Sequence, residues 1–155
     1  YRVLEPMKLN WRADPSLVIL PQEDALLYAP NTPKASIEFD FELAEAGHYR
    51  VDAVLYAILL GGVYQPLLDG KPVGQPIDLC IANADPKWYR LDTFELAAGK
   101  HVLRFEGRDV PSPAARALVK QAHTIGVQKL VLLRLEDMAG YREVTKRLQQ
   151  PTAKP

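Results

Sequence analysis

Two adjacent aromatic residues, Trp88 and Tyr89, are the side chains in this sequence whose type and position best suit the binding of a ligand. They follow a polar segment at residues 82–87, which contains Asn83 and Asp85. Aromatic rings offer apolar faces on which the C–H faces of sugar rings can stack, and amides and carboxylates can hydrogen-bond to sugar hydroxyls. The sequence therefore predicts that these four residues bind carbohydrate at the mouth of a loop.

A second aromatic and amide pair, Tyr64 and Gln65, is a weaker candidate for the same role. Tyr56 and the pair Trp11-Arg12 are weaker candidates of the same kind. A structural role is the alternative for every one of these aromatic residues, because Trp and Tyr in an all-β chain more often fill the core or cover its edge. In that case their role would be structural.

Catalytic motifs are not found in the sequence. The three histidines, His48, His101 and His123, are scattered, and we expect each at a turn or on the surface. There is no Gly-rich phosphate loop, nucleophile elbow or CxxC pair. Carboxylates are plentiful and glycoside hydrolysis needs only a facing pair, but most of them alternate with apolar residues, as on a solvated strand face. We therefore expect no enzymatic activity.

Metal and cofactor sites have little support. Oxygen ligands from Asp78, Asn83 and Asp85 could hold a structural calcium ion, but their spacing matches no known calcium loop. We expect no other cofactor.

The elements that would position these residues are β-strands, because alternation of apolar and polar residues dominates the chain. Residues 37–43 alternate strictly, and residues 49–60 form a longer strand that begins with polar residues on one face. Residues 127–135 form a nearly continuous apolar run, typical of a closing core strand. Eight or so such strands predict an all-β antiparallel sandwich or jelly roll.

Two turns support antiparallel pairing. The pair Asp69-Gly70 suits a type I′ turn, whose two central residues adopt positive φ. Pro66 and Pro72 flank this turn and cannot donate to a ladder, which predicts a hairpin that lies at a sheet edge or carries a bulge. A second hairpin turn is predicted at residues 97–100.

Two segments depart from the strand pattern. Residues 112–123 are rich in helix formers after a possible serine cap and predict a short helix or a long loop. A helical turn is expected over residues 141–148. We predict a single domain over residues 1–137 and a C-terminal tail or linker over residues 138–155.

Composition narrows the classes of partner. The chain of 155 residues suits one domain with a real core, and its 19 basic and 19 acidic side chains cancel. With no net charge, the chain has no overall electrostatic attraction for nucleic acid or an anionic membrane, so neither is expected as a partner. The chain begins at Tyr1 without a signal peptide or a membrane-spanning apolar run, which suggests a domain cut from a larger chain or a mature product.

Several segments together resemble a known kind of module. They are residues 37–41, 46–51, 64–74, 76–79, 96–105 and 125–130. Over about residues 36–135 the chain resembles a galactose-binding-like, carbohydrate-binding-module-like β-sandwich of the kind appended to large secreted bacterial proteins. The group includes the jelly-roll part of a family with arabinofuranosidase-type glycoside hydrolases. The resemblance implies a secreted or periplasmic location, and no catalytic residue of those hydrolases can be placed on this chain.

The functional expectation is a non-catalytic accessory module that binds a polysaccharide or glycan beside neighbouring domains of a larger chain. One alternative is a structural or protein-interaction module, favoured if the aromatic residues are buried and a large apolar patch is exposed. A less favoured alternative is a glycoside hydrolase fragment, which would need a cleft holding two carboxylates.

Overall fold

A computed structural model describes residues 2–16, 19–21, 24–57, 61–80, 85–109 and 123–150. Its strands are β1 (Arg2–Leu4), β2 (Asn10–Asp14), β3 (Ile19–Pro21), β4 (Leu26–Tyr28), β5 (Ser36–Leu43), β6 (Gly47–Ala57), β7 (Val63–Leu68), β8 (Lys71–Pro72), β9 (Ile77–Asp78), β10 (Asp85–Leu96), β11 (Gly99–Gly107) and β12 (Ile125–Arg134). Its helix is α1 (Tyr141–Gln149), and Pro6–Lys8 and Leu135–Asp137 form single 3₁₀ turns.

The strands form two antiparallel sheets. Sheet I has the order β10-β6-β12-β4-β3, with β1 also paired to β12. Sheet II has the order β2-β5-β11-β7-β8, with β9 also paired to β7. The predicted all-β antiparallel sandwich is confirmed.

The core lies between the two sheets, as the alternation of residue types on β5 shows. Ile37, Phe39, Phe41 and Leu43 are buried in the core, whereas the intervening residues of β5 point to the opposite face. Burial of such side chains is the main favourable contribution to folding. The alternating pattern therefore indicated correctly which face of this strand is inside.

The hairpin between β7 and β8 has the predicted turn, whereas the hairpin predicted at residues 97–100 is wrong, because β10 and β11 lie in different sheets. Asp69 and Gly70 both have positive φ, of 50° and 81°. The short strand β8 lies at the edge of sheet II. No further strand pairs with it there, so the N–H that Pro72 lacks is not needed for a hydrogen bond between strands.

The N-terminal region alternates between strand and turn. The strand β1 ends at Leu4, and Pro6 begins a 3₁₀ turn. Proline fixes φ and cannot donate to a ladder, which accounts for the break. The next strand, β2, was not predicted, because its sequence carries few strand-forming residues and its stability comes from pairing with β5.

The C-terminal segment contains the expected helical turn, as α1. No helix in the described part of the chain is long and apolar enough to cross a bilayer. The helix or loop predicted at residues 112–123 lies outside the described residues, except for His123. The division into residues 1–137 and 138–155 stays a prediction.

Gly107, at the end of β11, should not tolerate a side chain. A Cβ atom at this position would collide with the carbonyl oxygen of Pro33 and approach that of Ala35 within 3.1 Å. Because backbone atoms cannot move aside like a flexible side chain, Gly107→Ala should lower the free energy of unfolding by about 1–3 kcal/mol. Urea unfolding would measure it, with the exposed Lys100→Ala on the same strand as control. An unchanged midpoint would contradict the close approach.

Candidate functional site

Trp88 lies on β10, the edge strand of sheet I, and points away from the core. Its neighbour Tyr89 packs against the core, so Trp88 faces the opposite side of the sheet. The Trp88 side chain is 61% exposed. A large indole on the open face of a sheet is the strongest single indication of a binding surface in the described residues, because such rings are usually covered.

The residues beside Trp88 are set by strand pairing across the outer face of sheet I. Trp88 lies opposite Val54 of β6, and Arg90 lies opposite Asp52 of the same strand. On the far side of β6, Val131 of β12 lies opposite Asp52. The three strands therefore bring one aromatic, two charged and two apolar residues together.

Arg50 and Asp52 form an ion pair in the middle of this face. The guanidinium Nε and Nη2 atoms of Arg50 donate to the two carboxylate oxygens of Asp52, at 3.1 Å and 2.9 Å. The Asp52 side chain is buried, whereas that of Arg50 is 40% exposed. Asp52 therefore holds Arg50 in place, and the guanidinium is the part of the pair that faces solvent.

Arg90 is the second guanidinium beside Trp88, and it is exposed. Its Nη2 atom donates to the hydroxyl of Thr93 at 3.4 Å. The nearby Asp92 accepts the N–H of Thr93 at 2.8 Å. Within the described part of the chain, Arg90 contacts the neutral hydroxyl of Thr93, whereas Arg50 is paired with a carboxylate.

A shallow hollow of about 200 Å³ lies on this face. Its lining residues are Arg50, Asp52, Trp88, Val131 and Leu133. We call these five residues, together with Arg90, the outer-face platform. The hollow combines an aromatic wall and an aliphatic floor with a fixed guanidinium, which suits a ring with one apolar face and polar edges.

Tyr89 belongs to a different surface, at the open edge of the sandwich. It is half-buried, and burial raises the pKa of its hydroxyl. A hollow of about 230 Å³ there is lined by Trp88, Tyr89 and Arg90 of β10, by Ile77 of β9 and by Gly74 in the loop before it, among others. Trp88 and Arg90 therefore stand between this edge hollow and the hollow on the outer face.

Tyr64 and Gln65 are both buried, at 1% and 4% exposure. The Tyr64 hydroxyl donates to the carbonyl oxygen of His123. The Gln65 amide donates to the carbonyl oxygens of Pro66 and Val73, at 3.0 Å and 3.1 Å. A ring so buried has no face to offer a sugar, so we leave both residues out of the proposed site. Through Val73, Gln65 instead fixes the segment that lines the edge hollow.

Asn83 and the Asp85 side chain lie outside the described part of the structure, so their predicted role stays a prediction. Asp78, the third suggested calcium ligand, accepts the N–H of Cys80 at 3.0 Å. Among the described residues, no group of three or more His, Cys, Asp or Glu side chains could hold a metal ion.

The expected surface position of the histidines is wrong for His101. This residue is 7% exposed, and its ring stacks on Phe41 with centroids 5.6 Å apart. Its Nδ1 atom pairs with Asp69 at 2.7 Å, and its Nε2 atom pairs with the carbonyl oxygen of Ala97 at 2.8 Å. Hydrogen bonds at both nitrogens allow an imidazole to lie inside, which a scattered histidine pattern cannot reveal. His48 is exposed, as expected.

The sequence alone does not identify Arg50, Asp52 and Arg90 as part of a site. It shows a polar face at the start of β6, but nothing in it pairs that face with Trp88. The useful signal would have been the register of β10 on β6, which depends on contacts between residues far apart in the chain.

No protein-family model and no curated protein matches the chain. Among solved structures, a Paenibacillus xanthan lyase is 17% identical with a TM-score of 0.65, over 85% of this chain and 13% of the lyase. The mannan-binding module from Man5C is 12% identical with a TM-score of 0.58, over 87% of this chain and 99% of the module. A family 35 carbohydrate-binding module from Clostridium thermocellum is 12% identical with a TM-score of 0.52, over 86% and 97%.

These likenesses establish the fold. The chain is a β-sandwich like those of carbohydrate-binding modules, as the resemblance in its sequence implied. The chain spans only a small part of the xanthan lyase but nearly the whole of the two modules.

Proposed function

We propose that this chain is a non-catalytic carbohydrate-binding module and that its site is the outer-face platform around Trp88. The observation that carries the proposal is the exposure of the Trp88 indole beside the fixed Arg50 guanidinium on a sheet face. Carbohydrate-binding modules of the same fold support this class of function.

The platform suits a sugar ring in two ways. The indole of Trp88 and the aliphatic side chains of Val131 and Leu133 can contact the C–H face of a sugar. Arg50 can donate hydrogen bonds to hydroxyl oxygens without losing much side-chain freedom, because Asp52 already restrains it.

The surroundings of Asp52, the carboxylate on the platform, favour a binding role over hydrolysis. Asp52 is buried and accepts two hydrogen bonds from Arg50. Glycoside hydrolysis by the common route uses two carboxyl groups flanking the bond, one of which must protonate the leaving group. A carboxylate committed to an arginine is poorly suited to that step.

An accessory role follows from the shallow shape of the hollow. A small open surface gives weak binding at one site, and weak sites gain strength when several are linked. We place the module in a larger secreted or periplasmic protein, next to domains that act on or anchor to the same polysaccharide. A xanthan lyase of which 13% is matched by this chain supports this proposal.

Trp88→Ala should weaken binding to the best polysaccharide by about tenfold or more, the effect expected for losing a stacked aromatic ring. A panel of plant, algal and microbial polysaccharides, including mannan and xanthan, would first identify that ligand. Isothermal titration would then measure the affinity of each variant.

The matched control is Trp11→Phe, because Trp11 is the other tryptophan and lies on sheet II. This variant should bind normally, and its remaining tryptophan fluorescence, from Trp88 alone, should change when ligand is added. Normal affinity in Trp88→Ala would reject the platform as the site. No binding to any polysaccharide would reject the module function.

A second candidate is a protein-interaction module, favoured by the apolar face of α1. Val144 and Leu148 on this helix are 54% and 81% exposed, and Met138 just before it is 46% exposed. Protein binding through this helix, without polysaccharide binding, would favour this second function over the first.

A further inference from the structure

We propose that the ligand of the outer-face platform is an anionic polysaccharide, in which a carboxylate or sulfate group pairs with Arg90 while a neighbouring sugar ring stacks on Trp88. This inference rests on the proposed carbohydrate-binding function and specifies the chemical class of the ligand.

The spacing of the two residues permits both contacts at once. Trp88 and Arg90 lie two positions apart on β10 and project from the same face of the sheet. Their Cα atoms are therefore about 7 Å apart, a distance that one polysaccharide chain can bridge with adjacent parts of its repeat.

The outer-face platform carries two positive side chains, Arg50 and Arg90, but one negative side chain, Asp52. Asp52 is neutralised by Arg50. Asp92, two positions along β10 from Arg90, keeps its charge but accepts the N–H of Thr93, and no Arg90–Asp92 ion pair is found in the described residues. Arg90 is then a cation whose protein contact in the described residues is a long hydrogen bond to a neutral hydroxyl. An exposed arginine in this position can pair with an anion from outside.

The outer face of sheet II shows the contrasting arrangement. There Arg12 donates to Glu38 and to both carboxylate oxygens of Asp40, each at 2.8 Å. Arg104 lies 3.4 Å from Glu106. The arginines of sheet II are thus paired within the protein, although the chain as a whole is neutral. Arg90, by contrast, stands beside the exposed tryptophan, and its contact within the described part of the chain is with a neutral hydroxyl.

Lys129 is the other cation near this face, opposite Val54. It lines a separate hollow that also contains Glu5 and Asp24, so its charge is opposed there. We therefore assign the anion to Arg90. The planar guanidinium can donate two parallel hydrogen bonds to a carboxylate or a sulfate, which makes it a better partner for these groups than for a neutral hydroxyl.

The test compares acidic polysaccharides with neutral forms of the same chain. Suitable probes are xanthan, polygalacturonate and alginate with their carboxyl-reduced products, carrageenan with its desulfated product, and mannan as a neutral polymer. The tightest ligand should be acidic, and removal of its charge should weaken binding about tenfold or more. Loss on carboxyl reduction identifies a carboxylate, and loss on desulfation identifies a sulfate.

Arg90→Gln provides the residue-level test. It should weaken binding of the acidic form about tenfold and leave binding of the neutral form unchanged. The control Lys71→Gln makes the same change of charge at an exposed residue of β8, on sheet II, and should have little effect. Added salt should also weaken binding of the wild type more than that of Arg90→Gln.

The outcomes separate this inference from the proposed function. A neutral polysaccharide as the tightest ligand, with binding that depends on Trp88 but not on Arg90, would overturn the inference and leave the module function intact. Equal losses in Arg90→Gln and Lys71→Gln would also overturn it, because the effect would then be one of overall charge. Binding to no polysaccharide would reject both.

Discussion

Phe105→Ala should lower the free energy of unfolding by about 3–5 kcal/mol. Phe105 is fully buried on β11, a central strand of sheet II. Its cross-strand neighbours are Ile37 on β5 and Pro66 on β7. Strands on both sides hold these neighbours in place, so the cavity left by the missing ring cannot collapse. Both the lost apolar burial and the remaining cavity contribute to the loss of stability.

Chemical unfolding in urea would measure the change, and Trp88→Ala is the matched control. Both variants remove a large aromatic side chain from a strand, but Trp88 is 61% exposed. We expect the control to change the free energy of unfolding by less than about 0.5 kcal/mol, in line with surface substitutions. A loss below about 1 kcal/mol in Phe105→Ala would contradict a closely packed core at this position.

The contrast between these two aromatic residues shows what the sequence could predict. Alternation of residue types identifies the inner face of a strand when the pattern is strict, as in β5. The Asp69-Gly70 pair identified a hairpin because few residue pairs tolerate positive φ at both positions. These signals depend only on residues close together in the chain.

The site was harder to predict because it depends on long-range pairing. Tyr64 and Trp88 are both aromatic residues on strands, yet one is buried and the other is exposed. The difference arises because Tyr64 points into the core between the sheets, whereas Trp88 points to the outer face of sheet I. Residue type therefore selected Trp88, but only the pairing of β10 with β6 placed Arg50 and Asp52 beside it.

Asp69→Ala should destabilise the fold by about 2–4 kcal/mol, because the Asp69 side chain joins the turn between β7 and β8 to β11. One carboxylate oxygen accepts the N–H of Val102 at 2.9 Å, and the other pairs with Nδ1 of His101 at 2.7 Å. Alanine would lose both hydrogen bonds and leave a nitrogen of a buried histidine without its partner. It would also have to adopt the positive φ of 50° that Asp69 has.

This pair should also make stability depend on pH. Burial by itself lowers the pKa of His101, but the hydrogen bonds to Asp69 and to the Ala97 carbonyl oxygen outweigh it, so the pKa is raised above 6.5. A raised pKa means that the folded protein holds this proton more tightly than the unfolded chain does. The stabilisation is fully present below about pH 6.5, the unfolded value, and is lost as the pH rises through the folded value.

Asp69→Asn separates the hydrogen bonds from the charge. Asparagine tolerates positive φ and its side-chain oxygen can still accept the N–H of Val102, but it carries no negative charge to favour protonated His101. The unfolding free energy of Asp69→Asn should therefore fall less than that of the wild type between about pH 6 and pH 8, the range in which histidine titrates. NMR titration of His101 should show a lower pKa in the variant. An identical pH profile in the two proteins would mean that Asp69 does not set the protonation of His101, because the charge that distinguishes aspartate from asparagine would then have no effect on it.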